Sequence, residues 1–151
     1  MKTVNILFVC TGNTCRSPMA EGIFRSMLSE NDTEFIKCSS AGLSAVPGDY
    51  ASENAVLALR EKGVDISSHR AKRLSGEDLP LWDVFFVMTE THAFILERAG
   101  VPVDRIYVPK NISDPYGGSL EDYRMCRDKI SSELEKFLNI IRGKLEENNN
   151  A

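Results

Sequence analysis

The sequence VNILFVCTGNTCRSP, residues 4–18, indicates the order of the first structural elements and with it the fold class. Residues 4–9 form an apolar run that only Asn5 interrupts, which is typical of a strand buried on both faces. A loop containing glycine follows, and apolar residues at helical spacing predict a helix from about Pro18. This order of strand, loop and helix is the unit from which parallel sheets are built.

The same alternation continues along the chain. Further strands are predicted at residues 35–40, 83–88 and 105–108, and further helices are capped by Ser52, Thr89 and Ser119. Ser119 and Asp122 together resemble a capping box. We therefore predict an α/β fold in one domain, residues 1–151, with a parallel sheet, helices on both of its faces and a flexible polar tail at residues 146–151.

Composition narrows the class of protein. The chain has 151 residues, 42% hydrophobic and 26% charged, which suits one soluble globular domain. A net charge of −4 argues against nucleic acid or an anionic membrane surface as the main partner. No apolar run approaches the roughly 20 residues of a membrane span, and the first residues do not read as a signal peptide. We expect a cytoplasmic protein.

The spacing of the cysteines and histidines indicates free thiols and gives no sign of a metal site. The four cysteines, at positions 10, 15, 38 and 126, are not spaced as a compact disulfide framework. The two histidines, His69 and His92, stand in no ligand-spaced cluster. We expect neither a metal nor another cofactor. His69 is interpreted as a hydrogen-bonding support for a loop, and His92, in the first turn of a helix, as an exposed residue.

Ligands of parallel sheets bind beyond the carboxyl ends of the strands, so the loop after the first strand is the first candidate site. Gly12 and Asn13 tolerate left-handed backbone conformations, which lets the loop curl and point its N–H groups inward. The following helix adds the positive end of its dipole, and Arg16 can hold two phosphate oxygens in a planar fork. The loop therefore predicts an anion-binding site.

Cys10 lies at the rim of this site, where the positive field favours a thiolate. Ser17 can donate a further hydrogen bond to the sulfur. A thiolate beside a bound phosphate can attack phosphorus and form a phosphocysteine that water hydrolyses. A buried structural cysteine is the alternative. The position after a strand and before a helix that starts with Ser-Pro favours the catalytic interpretation.

The sequence resembles the low-molecular-weight protein tyrosine phosphatases over almost its whole length. The motifs that carry the resemblance are VCTGNTCRSPMAEGIFR in the first strand, loop and helix, SSAG at residues 39–42, SSHRAKRL at residues 67–74 and DPYGGS at residues 114–119. The resemblance implies a four-stranded parallel sheet flanked by helices. It also implies protein substrates that carry phosphorylated side chains and a site that binds inorganic phosphate or similar oxyanions.

The resemblance assigns roles to residues of this chain. It implies Cys10 as the nucleophile, Arg16 as the phosphate clamp and Asp114 as the general acid. Ser17 stabilises the thiolate, Cys15 can form a reversible disulfide with the nucleophile, and Asn13 is a strained loop residue supported by Ser40 and His69. The phosphate-binding loop then comprises Thr11, Gly12, Asn13, Thr14, Cys15, Arg16 and Ser17.

Asp114 and Tyr116, in the DPYGGS motif, each allow two interpretations. Asp114 stands in Asp-Pro-Tyr-Gly, a common turn sequence, so on local grounds it is a turn residue. Beside a cysteine site, however, a loop carboxyl is a natural proton donor for a leaving group. Tyr116 can stack on a substrate side chain or pack on the surface.

Thr14 and Tyr116 bear on the substrate. Many family members have an aliphatic residue at the position of Thr14, and CTGNTCRS resembles the bacterial subgroup of protein arginine phosphatases. Gly117 and Gly118 provide no second aromatic wall. We favour phosphoarginine over phosphotyrosine. An arsenate reductase is a rival interpretation, but it needs a further late cysteine pair, and a non-enzymatic phosphate sensor does not explain Cys10, Arg16 and Asp114 together.

Overall fold

The computed structural model describes residues 3–110 and 112–150. Its sheet has four parallel strands: β1 (Val4–Cys10), β2 (Ile36–Gly42), β3 (Val84–Val87) and β4 (Ile106–Tyr107). The strand order is β2-β1-β3-β4. The predicted four-stranded parallel sheet is confirmed, with strand ends shifted by one or two residues. Because the order reverses beside β1, its carboxyl end opens into the crevice where such sheets bind ligands.

In the part of the chain that the structure describes, five helices surround the sheet: α1 (Arg16–Met27), α2 (Glu30–Phe35), α3 (Glu53–Arg60), α4 (Glu90–Arg98) and α5 (Leu120–Asn150). Short 3-10 turns occur at Gly76–Leu81 and Val103–Arg105. The predicted capping box of α5 forms, with Ser119 and Asp122 each accepting from the other's backbone N–H. Helix α2 was not predicted, although Ser29 and Asp32 form a second capping box at its start.

Alternate residues of β1 pack into two hydrophobic cores, one on each face of the sheet. Ile6 and Phe8 belong to the larger core, on the face covered by α1, α3 and α5, while Leu7 and Val9 belong to the core under α4. Side chains of a strand point to opposite faces in turn, so a continuous apolar run serves both faces. The predicted helices on both sides of the sheet are thereby confirmed.

Helix α5 continues to Asn150, so residues 146–150 of the predicted flexible tail lie in its last turns. The flexibility of residues 146–151 stays a prediction, and Ala151 lies outside the described residues. Extending an existing helix adds one hydrogen bond per residue ordered, whereas starting one is costly. A polar sequence without proline can therefore continue a helix that packing has already established. None of the helices in the described part of the chain is long and apolar enough to span a membrane.

Candidate active site

The candidate site is the loop of residues 11–15, which joins β1 to α1 at the carboxyl edge of the sheet. Cys10 is the last residue of β1 and is buried. Helix α1 begins at Arg16, two residues before the predicted start, with Arg16 only 4% exposed. The earlier start brings the N-terminal end of α1 directly to the loop, where its positive dipole favours an anion.

The sulfur of Cys10 receives two hydrogen-bond donors. The backbone N–H of Asn13 lies 3.2 Å from Sγ, and Ser17 Oγ lies 2.9 Å from it. Asn13 Nδ2 donates to the Ser17 oxygen at 2.8 Å, which leaves the hydroxyl proton of Ser17 free to point at the sulfur. Two donors directed at one sulfur suit a negatively charged nucleophile.

Asn13 holds the curl of the loop. Its φ of 56° lies in the left-handed region and makes it the single non-glycine residue with positive φ in the described chain. Its side chain donates to Ser40 Oγ at 3.0 Å, and His69 Nε2 donates to its carbonyl oxygen at 2.8 Å. The backbone N–H of Lys72 donates to Asn13 Oδ1 at 2.8 Å. Ser40 and His69 thus stand where the resemblance implies, and Lys72 adds a third support.

A carboxylate that the sequence did not single out extends this network. Ser40 Oγ accepts from Asn13 and donates to Glu21 Oε1 at 2.7 Å, while Glu21 also pairs with Arg25 at 2.9 Å. Glu21 therefore fixes the direction of the Ser40 hydroxyl. Its position one turn after Ser17 on α1 was a weak signal, because only the pairing of β1 with β2 brings Ser40 beside α1.

Gly42 has a role that the SSAG motif left unassigned. The segment after β2 crosses the loop, where Leu43 N–H donates to Cys10 O at 3.0 Å and Ser44 N–H donates to Thr11 O at 2.9 Å. A Cβ atom at position 42 would lie 2.6 Å from Thr11 O and 2.9 Å from Asn13 N. Only glycine allows the crossing segment to approach the loop backbone this closely.

Asp114 lies beside the arginine of the loop. Its Oδ2 is 3.5 Å from Arg16 Nη2, and Arg16 Nη1 donates to Ile112 O at 3.2 Å. Asp114 Oδ1 also accepts from the backbone N–H of Tyr116 at 3.1 Å. This conformation is compatible with both interpretations of Asp114, because one oxygen closes the turn and the other faces Arg16; its role as general acid stays a prediction. The Asp114 side chain is 48% exposed, so a substrate can reach it.

The site residues line one cavity of about 220 Å³, formed by Cys10, Thr11, Gly12, Thr14, Cys15, Arg16, Asp114 and Tyr116. Tyr116 is 76% exposed, so its ring stands at the wall of this cavity and not in a packed surface position. A larger cavity of about 550 Å³ lies behind the acid loop and shares Asp114 and Tyr116, but no candidate nucleophile of the loop lines it. Chemistry, not size, identifies the smaller cavity as the reactive one.

Cys15 lies in the loop as a free, buried thiol. Ser52 Oγ and Tyr123 Oη each lie 3.3 Å from its sulfur. Burial, and then the contact with Cys15, raise the pKa of Tyr123 to about 12, so its hydroxyl keeps its proton. Ser52 caps α3 by position, yet its side chain contacts Cys15 and not the helix N-terminus. The reversible disulfide between Cys15 and Cys10 stays a prediction.

His92 was expected to be exposed, and this prediction is wrong. The residue is 5% exposed, with Nε2 2.9 Å from Thr11 Oγ1 and Nδ1 3.0 Å from Thr89 Oγ1. Burial, and then the positive charge of Arg16, lower the pKa of His92 to about 4. Pattern alone missed this contact, because only the pairing of β1 with β3 brings the start of α4 beside the loop.

Within residues 3–110 and 112–150, no three histidine, cysteine or carboxylate side chains form a group that could hold a metal ion. The arrangement instead combines a sulfur nucleophile, a cationic fork and a carboxyl group around a concave loop of amides. Such a site can transfer a phosphoryl group through a covalent cysteine intermediate. A parallel α/β domain with this loop after its first strand defines a class of cysteine-dependent phosphatase.

Comparison with known proteins agrees with this class. The family described as low molecular weight phosphotyrosine protein phosphatase matches residues 5–149, and the chain belongs to that family. A protein-arginine-phosphatase of Geobacillus stearothermophilus is 37% identical over 141 residues, covering 87% of this chain and 92% of that protein.

Two solved structures share the fold. The YwlE arginine phosphatase of Geobacillus stearothermophilus has a TM-score of 0.83 and 33% identity, covering 95% of this chain and 96% of its own. A low molecular weight protein tyrosine phosphatase from T. tengcongensis has a TM-score of 0.82 and 38% identity, covering 91% and 99%. These relatives carry the names of phosphatases, so the rival interpretation as an arsenate reductase gains no support.

Proposed function

We propose that this protein is a phosphatase that hydrolyses phosphorylated protein side chains through a phosphocysteine on Cys10, and that phosphoarginine is its preferred substrate. The single observation that carries the proposal is the shared cavity of Cys10, Arg16 and Asp114. The three side chains supply a nucleophile, a phosphate clamp and a proton donor at one point.

In the first step, the loop amides and the Arg16 fork hold the phosphoryl oxygens while the Cys10 sulfur attacks phosphorus. The sulfur–phosphorus bond forms as the bond to the leaving nitrogen or oxygen breaks. The electron pair of the broken bond stays on the leaving atom, which takes a proton from Asp114. The hydroxyl of Ser17 and the backbone N–H of Asn13 stabilise the thiolate before the attack.

In the second step, water attacks the phosphocysteine and loses a proton to the Asp114 carboxylate. The new oxygen–phosphorus bond forms as the sulfur–phosphorus bond breaks, which regenerates the Cys10 thiolate and releases inorganic phosphate. The same carboxyl group therefore acts first as acid and then as base. The exposure of Asp114 supports this second role, because water must reach it.

The preference for phosphoarginine rests on Thr14. This half-buried loop residue lines the cavity, and its Oγ1 lies 3.8 Å from Cys15 Sγ. A hydroxyl at the wall can partner a polar guanidinium group, whereas a phenyl ring gains more from an aliphatic contact. Gly117 and Gly118 follow Tyr116, so the acid loop adds no second ring. The arginine phosphatase relative supports the same preference.

We place this activity in the cytoplasm. All four cysteines are free thiols, and a thiolate nucleophile needs a reducing environment to stay active. The net charge of −4 supports protein substrates over nucleic acid or anionic membranes as partners.

The decisive experiment compares kcat/KM for a phosphoarginine peptide and a phosphotyrosine peptide of the same sequence, with Cys10→Ser as the inactive control. We expect turnover of both and a higher value for phosphoarginine. Thr14→Ile is expected to lower the phosphoarginine value relative to phosphotyrosine by roughly 10-fold or more, the size of one altered pocket contact.

Three outcomes would count against parts of the proposal. Substantial activity of Cys10→Ser would overturn the covalent mechanism. A wild-type preference for phosphotyrosine would leave the phosphatase and remove the arginine preference. An equal loss on both peptides in Thr14→Ile would make Thr14 a packing residue of the loop.

A further inference from the structure

A chain of three side chains connects helix α4 to the wall of the reactive cavity. Thr89 caps α4, His92 lies in its first turn, and Thr11 follows the nucleophile in the loop. His92 Nδ1 lies 3.0 Å from Thr89 Oγ1, and Nε2 lies 2.9 Å from Thr11 Oγ1. The mechanism described above uses none of these three side chains.

The donors of this chain have a definite direction. Thr89 Oγ1 accepts the backbone N–H of His92, so its hydroxyl proton is free to go to His92 Nδ1. A neutral imidazole that accepts at Nδ1 carries its proton on Nε2. His92 Nε2–H therefore donates to Thr11 Oγ1, which keeps one lone pair and its own proton for a ligand.

The surroundings of His92 maintain this arrangement at neutral pH. Its low pKa, set first by burial and then by Arg16, keeps the ring neutral, although the negative charge of Asp114 acts in the opposite sense. Because the ring is also buried, water does not compete for either nitrogen. A neutral ring with one tautomer holds the Thr11 hydroxyl in one orientation.

Thr11 is itself exposed and lines the cavity with Cys10, Arg16 and Asp114. Phosphoarginine presents N–H donors directly beside acceptor oxygens, and a hydroxyl with one free lone pair and one proton can serve both. A phosphotyrosine carries an ester oxygen and a ring at that place and offers no donor. The free groups on Thr11 therefore match the guanidinium substrate better than the aromatic one.

We propose that His92 is a positioning residue that orients the Thr11 hydroxyl toward the guanidinium and phosphoryl groups of phosphoarginine, which makes Thr11 a second specificity-determining residue beside Thr14. The inference rests on the proposed arginine phosphatase activity and deepens it. His92 acts through Thr11 and does not touch the substrate.

A double-mutant cycle tests the connection between the two residues. The variants are Thr11→Val, His92→Leu and the double variant, each measured for kcat/KM on matched phosphoarginine and phosphotyrosine peptides. Each single variant is expected to lower the ratio of the two values roughly threefold to tenfold, the worth of one hydrogen bond. The double variant is expected to lower it no further than Thr11→Val alone, because His92 acts only through Thr11.

Two further variants separate orientation from packing. His92→Gln places an amide donor near the position of Nε2 and is expected to restore most of the ratio. His92→Asn is shorter, can still reach Thr89 and is expected to behave like His92→Leu. If His92→Leu fails to fold, the comparison of Gln with Asn decides the question. Thr91→Val is a matched control in the same turn, exposed and outside the cavity.

The outcomes distinguish this inference from the proposed function. If the wild type prefers phosphoarginine but the His92 variants keep the same ratio, the inference is overturned and the function stands. Additive losses in the cycle, or equal losses on both peptides, would likewise reduce His92 to a structural residue. If the wild type does not hydrolyse phosphoarginine, the arginine preference and this inference fail together.

Discussion

The two carboxyl oxygens of a single residue, Asp114, face different partners. One oxygen accepts from Tyr116 N–H, which fixes the carboxyl group in the turn, while the other lies 3.5 Å from Arg16 Nη2 and close to the cavity. A carboxyl group held in this way can give its proton to a leaving atom without first reorganising the loop.

Asp114→Asn tests the proton transfer. The variant keeps the size of the side chain but cannot donate a carboxylic proton, so turnover of aryl phosphates should fall most for the poorest leaving groups. We expect a loss of roughly 100-fold or more with phenyl phosphate and a smaller loss with p-nitrophenyl phosphate, whose phenolate needs less help. Steady-state kcat across a series of substituted phenyl phosphates provides the measurement.

Asp104→Asn is the matched control, because Asp104 is exposed and lies outside the cavity. An equal loss across the whole series of leaving groups would contradict a role for Asp114 as acid. The residue would then act on the charge or position of Arg16.

At the scale of elements, the active loop is held from two sides. On one side, helix α1 contributes Ser17 and Arg16. On the other, the segment after β2 crosses the loop and is held there by backbone hydrogen bonds from Leu43 and Ser44. The crossing requires Gly42, since any Cβ there would press on backbone atoms that cannot move aside cheaply. Helix α1 and the turn after β2 therefore set the curvature that one short loop presents to phosphate.

Gly42→Ala is expected to destabilise the protein and to lower kcat. The added methyl group would lie 2.6 Å from Thr11 O, so the loop or the crossing segment must shift. Overpacking of this kind costs about 1–3 kcal/mol in the free energy of unfolding, and a displaced loop also misplaces its amides. Urea denaturation and turnover of p-nitrophenyl phosphate measure the two effects.

Gly76→Ala is the control, because a Cβ at that position meets no atom within 4 Å and the residue does not need a positive φ. It should leave both stability and turnover close to wild type. A Gly42→Ala protein with unchanged turnover would show that the crossing segment tolerates the methyl group and does not shape the loop.

At the scale of the whole molecule, the long helix α5 connects distant parts of the fold. Its first half contributes Tyr123 to the contact with Cys15, and near its end Arg142 binds Asp32 in α2 with two nitrogens. This pairing lowers the pKa of Asp32 to about 2, chiefly through the hydrogen bonds from Arg142. The ion pair holds α2, which has no buried residue of its own, against the last third of α5.

The pairing predicts a defined pH dependence of stability. Because the pKa of Asp32 is lower in the folded protein, its contribution is fully present above the ordinary value of 3.8 and is lost as pH falls toward 2. Asp32→Asn should lower the free energy of unfolding by about 1–2 kcal/mol at pH 7, and by less as the pH approaches 2.

Urea denaturation at several pH values between 7 and 2 measures this difference. Glu30→Gln, an exposed neighbour in α2, serves as the control and should show no such trend. If the difference between wild type and Asp32→Asn stays constant over the whole range, the loss arises from the capping box at Ser29 and not from the charge pair.

The features that could be predicted from the pattern of residues are those that depend on neighbours in the chain. Three examples are the apolar run of β1, the capping box at Ser119 and the curl of residues 10–17. Each depends on residues within one or two turns of each other, so each could be predicted from the sequence. The motif around Cys10 indicated its chemistry, since the nucleophile, the arginine and the helix start lie within seven positions.

The contacts between remote segments could not be predicted in this way, because they arise when the strands pair. Glu21 reaches Ser40 because β1 pairs with β2, and His92 reaches Thr11, 81 positions away, because β1 also pairs with β3. The position of a residue in a helix determines the face of the helix on which its side chain lies, but not which segment of the chain packs against that face. The strand order supplies that partner, because the hydrogen bonds of the sheet bring together chain segments that no local pattern connects.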